Sequence, residues 1–211
     1  MSDHPRMIKY YEDLLQKHGD HWSALDWKSD DSQRLRFEVL SDIFVMAERT
    51  ANFSLLDVGC GFGDLYHYLN QKKVRCDYTG YDIAPRIIET AQHKYPKASY
   101  EVKDILNDAK PRQFDFVLCC GALNISFEEA PEHLTFIRSM LLRMFELCKI
   151  GVGVNFLSAQ AIYYLPEGSE RQPQYFYAKP EDILGFAKGM TSRFIIRHDY
   201  HPGDFTVYLF K

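Results

Sequence analysis

From residue 54 onward, short apolar runs alternate with segments whose apolar residues recur at helical spacing. A parallel sheet covered on both faces explains that alternation, and few other folds do. The runs lie at 54–60, 77–82, 99–104, 114–120 and 151–157, so five parallel strands are predicted. Helical patterns separate them at 64–73, 85–94 and 132–149. Pro85 opens the second at a first-turn position, and Pro131 followed by Glu132 opens the third. The connection 106–113 is too short for much helix. Ahead of the sheet, residues 4–19 and 32–49 read as helices (Ile8, Tyr11, Leu14, Leu15; Leu35, Val39, Leu40, Ile43), joined by a polar stretch with Trp22 and Trp27. After the fifth strand an aromatic-rich loop, 158–179, leads to a helix near Pro180-Glu181-Asp182, whose acidic residues suit a helix start. Two last strands, 193–200 and 205–210, flank His201-Pro202-Gly203-Asp204, a turn that makes them antiparallel.

Right-handed crossovers build such a sheet outward in two directions from its first strand. Ligands sit over the strand carboxyl ends where the winding direction switches. The chemistry is therefore expected after the first and fourth strands. Composition narrows the partners. Apolar residues make up 46% and charged residues 26%, which fits neither fibrous nor largely disordered chains. A net charge of -4 supplies no overall basic field for nucleic acid or an anionic membrane, although Lys72, Lys73 and Arg75 form a local basic patch. Five unpatterned cysteines (Cys60, Cys76, Cys119, Cys120, Cys148) suit a reducing compartment. The amino-terminal MSDHPRMIKYYEDLL lacks the apolar core of a secretory signal, and no stretch reaches the ~18 apolar residues of a membrane span, so a cytoplasmic location is expected. No metal-ligand spacing occurs; the adjacent Cys119 and Cys120 are expected to line a strand.

The first strand ends in Leu55-Leu56-Asp57-Val58-Gly59-Cys60-Gly61-Phe62-Gly63-Asp64-Leu65. A glycine-rich strand-to-helix turn lets a ligand approach the backbone, and the helix after it starts with unpaired N–H groups. A dinucleotide fingerprint would need its third glycine at position 64. That residue is Asp64, the wrong charge beneath a pyrophosphate. Taken alone, the glycines also fit a tight turn that binds nothing.

This segment resembles the first motif of the class I S-adenosylmethionine (SAM)-dependent methyltransferases. The resemblance extends over about residues 50–210, because acidic residues ending the second and third strands and a closing reversed hairpin recur in order. It implies an α/β fold: a seven-stranded, mostly parallel, doubly wound Rossmann-like sheet of order 3-2-1-4-5-7-6 with strand 7 antiparallel. An N-terminal helical cap would span 1–50 and the SAM-binding domain 51–211, as one structural domain overall. Carried over by position, Gly59, Gly61 and Gly63, with Cys60 between them, would bring the backbone against the methionine part of SAM. Asp57 would orient that loop and help bind the ammonium group. Asp82, 19 residues beyond Gly63 and followed by Ile83, would accept from both ribose hydroxyls. Asp104 would accept from the adenine amino group and Ile105 would offer its N–H and an apolar face, with nearby Asp108 as the other match. Cys120 and Gly121 would turn carbonyls to the ammonium, and Arg36 would pair with the carboxylate. An exposed strand-end carboxylate at 82 and a solvated Arg34 and Arg36 are the plain alternatives.

The Asp/Asn-Pro-Pro-aromatic and Pro-Cys motifs of nucleic-acid methyltransferases are missing. The expected reaction is in-line methyl transfer to an O or N of a small-molecule acceptor, with S-adenosylhomocysteine (SAH) as product. An RNA or protein acceptor, or a SAM-binding subunit without activity, are the alternatives. Positioning dominates such a transfer, and no catalytic base is assigned; His133 stays outside the set. The acceptor pocket is expected from the N-terminal helices, with Tyr10, Tyr11, Trp22, Trp27, Gln33, Arg34 and Arg36, or from the segment Tyr163-Tyr164-Leu165-Pro166 through Tyr175-Phe176-Tyr177.

Overall fold

A computed structural model describes residues 4–109, 111–164 and 172–211. Seven strands form its sheet: β1 (Ala51–Val58), β2 (Arg75–Asp82), β3 (Ser99–Val102), β4 (Phe114–Cys120), β5 (Cys148–Leu157), β6 (Phe194–Arg197) and β7 (Asp204–Phe210). Their order is β3-β2-β1-β4-β5-β7-β6. The first five pair in parallel, and β7 runs antiparallel to both β5 and β6. The predicted doubly wound sheet with a reversed seventh strand is therefore present. Leu157 faces Asp204 across the antiparallel pair, so the turn before β7 stands at the carboxyl end of β5, the ligand side of the sheet.

Six helices accompany the strands: α1 (His4–His18), α2 (Asp30–Met46), α3 (Asp64–Gln71), α4 (Pro85–Lys94), α5 (Ala130–Leu147) and α6 (Pro180–Met190). Proline occupies the first turn of α4, α5 and α6, where its missing N–H costs nothing. Ser29 caps α2 by accepting from Ser32 N at 3.1 Å, with Asp30 and Asp31 in the first turn. Alternation along the strands then builds two cores. Leu55, Phe116, Leu118 and Tyr208 face α2, α3 and α4, whereas Leu56, Val117, Cys119 and Val207 face α5 and α6. Helix α2 packs deeply; the Phe44 ring lies 4.5 Å from Phe53 and 5.1 Å from Phe116. Each such buried side chain contributes about 1.5–3 kcal/mol.

Helix α1 belongs to a third, smaller cluster. Its Ile8, Tyr11, Leu14 and Leu15, with Ala24 and Leu25 of a 3₁₀ turn (Trp22–Leu25), close on Phe62, Ala84 and Ile87. No α1 side chain is fully buried. This unit rests on the loops leaving β1 and β2, above the glycine turn.

Several boundaries differ from the periodicity. Helix α5 ends at Leu147 rather than 149 and passes straight into β5 at Cys148 rather than 151, because the buried Cys148 already pairs with Phe114. Helix α2 ends at Met46, since Glu48 adopts φ +53°. Strand β6 keeps only four residues before the chain turns. Among the described residues, no helix is long and apolar enough to cross a membrane.

Candidate active site

The loop after β1 takes its shape from three residues in the left-handed region: Gly59 at φ +70°, Gly61 at +54° and Gly63 at +78°. The N–H groups of Gly59 and Cys60 donate to Tyr81 O at 2.8 and 3.1 Å, which ties the loop to β2. A Cβ on Gly59 would stand 2.3 Å from Ala122 Cβ, and one on Gly61 would stand 2.7 Å from Leu25 Cδ1. Only glycine fits between the end of β4 on one side and the α1 unit on the other.

A cavity of about 420 Å³ opens over this loop. That size suits a small-molecule site. Asp57, Asp82 and Asp104 line it from the ends of β1 and β2 and the residue opening the turn after β3, joined by Cys60, Ile83 and Ile105. Asp82 is half-buried; its Oδ2 accepts from Gly61 N at 3.1 Å and its Oδ1 from Ala84 N at 3.0 Å, leaving a lone pair on each oxygen. Burial raises its pKa. Asp57 is buried and accepts from Tyr78 Oη at 2.6 Å. Desolvation outweighs that bond and pushes its carboxyl up to about 7, with the charges of Asp82 and Asp64 adding to the rise. Asp104 Oδ1 accepts from Leu106 N at 2.9 Å, and His4 Nδ1 of α1 lies 3.6 Å from its Oδ2. Asp108 does not line the cavity; its carboxylate pairs with Lys103 at 3.0 Å. Gly63 does not line it either. It caps α3 and leaves room for the Tyr100 hydroxyl, 2.1 Å from where a Cβ would stand.

Cys120 and Gly121 line the opposite wall, where Trp27 covers Gly121. From there the cavity runs on under the α1 unit. The N-terminal helices and the 158–179 connection, expected as alternative sources of the acceptor pocket, both reach it, and the loop after β4 joins them. Ser126 N donates to Gln174 O at 2.9 Å and Phe176 N to Asn124 O at 2.8 Å, so the loop after β4 is zipped to the end of the 158–179 connection. Tyr11, Trp27, Phe127, Tyr175 and Tyr177 line this end of the cavity. Other predicted lid residues do not. Tyr163 and Tyr164 are exposed, at 82% and 64%, and Leu165 and Pro166 lie outside the described residues. Trp22 packs against His21 with the rings tilted, and Arg34 Nη1 donates to Gln71 Oε1 at 3.2 Å, tying α2 to α3. Gln33 does line the cavity, next to Asp64 at 3.5 Å. Buried His133 lines it too, with Nε2 at 3.0 Å from Leu123 O. A carbonyl only accepts, so Nε2 carries the proton and Nδ1 the lone pair; burial lowers the ring's pKa.

Arg36 lines the cavity, but the structure gives it an internal counter-ion. Its Nη2 donates to Asp204 Oδ2, and Nη1 donates to Ser32 O and Oγ, both at 3.0 Å. Arg36 Nε has no hydrogen-bond partner among the described residues. Asp204 also meets His201 Nδ1 at 2.9 Å. Desolvation would raise its pKa, yet His201 and Arg36 hold the carboxyl below its ordinary range. Sequence reasoning missed Asp204. Its signal was a lone acid opening an otherwise uncharged strand directly after Pro202-Gly203. Asp26 also lines the cavity, beside Trp27, and nothing in the local sequence distinguishes it.

Residues 55–143 match a family model described as a methyltransferase domain. A candidate methyltransferase of Mycobacterium tuberculosis is 25% identical over 162 residues, covering 75% of this chain and 93% of that protein. Among solved structures, magnesium protoporphyrin IX methyltransferase of Synechocystis with bound SAH superposes with a TM-score of 0.69 at 15% identity, over 100% of both chains. The plantazolicin methyltransferase BpumL, in complex with a pentazolic desmethylPZN analog and SAH, gives 0.69 at 15% identity over 97% of this chain and 94% of its own. These structural likenesses are likenesses of fold.

Proposed function

We propose that this chain, a class I SAM-dependent methyltransferase by its domain match and its fold, methylates an oxygen or nitrogen of a small acceptor held beneath the α1 unit. The carrying observation is that one cavity runs unbroken from the glycine loop to the aromatic lid. Its residues fit the cofactor: a glycine turn that a Cβ would block, and in Asp57 and Asp82 carboxylates without an ion-pair partner among the described residues, where a sulfonium and an ammonium need counter-charge. SAM, when bound, supplies an electrophilic methyl carbon on a good leaving group.

Asp82, with a lone pair free on each oxygen, would hold the two ribose hydroxyls. Asp57 would answer the ammonium with the carbonyls of Cys120 and Gly121, and Asp104 and Ile105 would take the adenine, beside Ile83. Gly59, Cys60 and Gly61 would shape the contact surface, with Gly63 supporting the turn from behind. Arg36 keeps an unpartnered Nε for the carboxylate group. Catalysis then consists of aligning an acceptor lone pair and excluding water, which the lid residues Trp27, Tyr11 and Tyr175 do by closing the cavity. Neutral His133 offers a proton acceptor at Nδ1 to a substrate that arrives protonated.

Residues 1–50 act as cap and 51–211 as the cofactor domain, with α2 anchoring the cap in the core. A cytoplasmic location fits the free thiols of the five cysteines. A nucleic-acid acceptor finds less support, because Lys72, Lys73 and Arg75 lie before and at the start of β2, the end of the strands away from the cavity. Incubation with methyl-labelled SAM and a panel of small amines, phenols and acids, beside bulk RNA and protein, tests the reading. Label should enter the small-molecule fraction. Label confined to RNA or protein would overturn the acceptor class, and tight SAM binding with no label in any fraction would favour a regulatory subunit.

A further inference from the structure

Resting on the methyl-transfer reading, we infer that the acceptor end of the cavity is a cation site, in which Asp26 and the surrounding aromatic rings bind the protonated amino group of the acceptor. Asp26 lines the cavity next to Trp27, yet no described Lys, Arg or His forms an ion pair with it. Its polar contacts come from phenols instead. Tyr10 Oη donates to Asp26 Oδ2 at 2.8 Å, and the Tyr175 phenol stands near enough to feel the charge of the same carboxylate. Both phenols are pushed up, by burial first and then by the Asp26 charge.

Rings crowd the same spot. Tyr10 packs edge-on against Tyr11 at 5.3 Å and against Phe127 at 5.7 Å, and Tyr175 against Tyr177 at 6.3 Å. A carboxylate set among aromatic rings attracts an ammonium through charge and ring quadrupole together and repels an anionic acceptor. The backbone that carries it is also fixed in place: Asp26 closes the 3₁₀ turn at φ 62°, its N–H directed to Ser23 O and Trp22 O. In that reading Asp57, Asp82 and Asp104 serve the cofactor, and Asp64 and Asp204 are ion-paired with Lys94 and Arg36, which leaves Asp26, set among the rings, and Glu128 as the acids of the described lining open to an acceptor.

Three probes with one ring and different head groups test this: phenethylamine, 2-phenylethanol and phenylacetate, titrated by calorimetry into the SAH-saturated chain at neutral pH. Phenethylamine should bind at least about tenfold tighter than the other two. Asp26→Asn, which tolerates the left-handed backbone, should bring it to within about twofold of the alcohol while SAH affinity stays put. Tyr10→Phe keeps the charge and should keep the preference. Equal binding of all three, no binding of any, or a preference that survives Asp26→Asn would overturn the assignment. Failure of SAH to bind the wild-type chain would instead strike the methyl-transfer reading on which it rests.

Discussion

The two ends of the cavity are built differently. The end over β1 and β2 is local: Asp57, Gly59 and Gly61 lie within five consecutive residues, and Asp82 closes the next strand, where it accepts from Gly61 N. The acceptor end is assembled from afar. Asp26, Trp27, Phe127, His133 and Tyr175 come from four separate stretches of chain. Backbone geometry within one turn fixes the first, whereas the second joins side chains of a thinly anchored α1 unit to the distant stretches 124–126 and 174–176, which pair through their backbones. Evolution of specificity in such a fold is freest where the chain segments are many and the burial is shallow, and least free where the glycines sit.

The largest effect expected comes from the wall that joins the two ends. Asp204→Ala leaves the Arg36 guanidinium buried without its counter-ion and should cost about 3–5 kcal/mol in urea unfolding; a loss under about 1 kcal/mol would mean that the pair is not structural.

Next comes proton linkage at the local end. The Asp57 carboxyl stands near 7 in the folded chain, against 3.8 for a free one. The folded state therefore holds that proton more tightly than the unfolded state does. Its stabilising contribution is full below about pH 4 and fades as the pH rises through 7. Between pH 5 and 7 the wild-type chain should lose roughly 2 kcal/mol relative to Asp57→Asn. Parallel pH profiles for the two proteins would contradict this.

Smaller still, Gly61→Ala forces an L-residue to φ +54° and drives its Cβ toward Leu25, costing about 1–2 kcal/mol. It should also loosen the α1 unit, read as faster hydrogen exchange in α1 than in α3. At the acceptor end, Tyr10→Phe removes one hydrogen bond to Asp26 and should cost only about 0.5–1.5 kcal/mol. A cost as large as that of Asp204→Ala would erase the contrast between the two ends.

The same contrast governs what the sequence discloses. Alternation of strands and helices, the Pro202-Gly203 turn and the glycine triplet are near-neighbour signals, and they carry the sheet order and the cofactor end. Cys148 satisfies the helix period and the strand pairing at once, so no pattern marks where α5 becomes β5. Arg36 reads as a charge in search of a ligand, because its partner Asp204 is 168 residues away. Tyr163 and Tyr164 look like pocket aromatics yet point to solvent, while Tyr175, eleven residues beyond Tyr164, is drawn inward by its bridge to Ile125.

Calorimetric titration of SAM into the wild-type chain and Asp82→Ala bears most directly on the central assignment. One SAM should bind per wild-type chain, and Asp82→Ala should weaken it by roughly 1.5–3 kcal/mol, about 10- to 100-fold, because the charged acceptor is lost. No heat from the wild-type chain, or equal affinity in both proteins, would contradict the account.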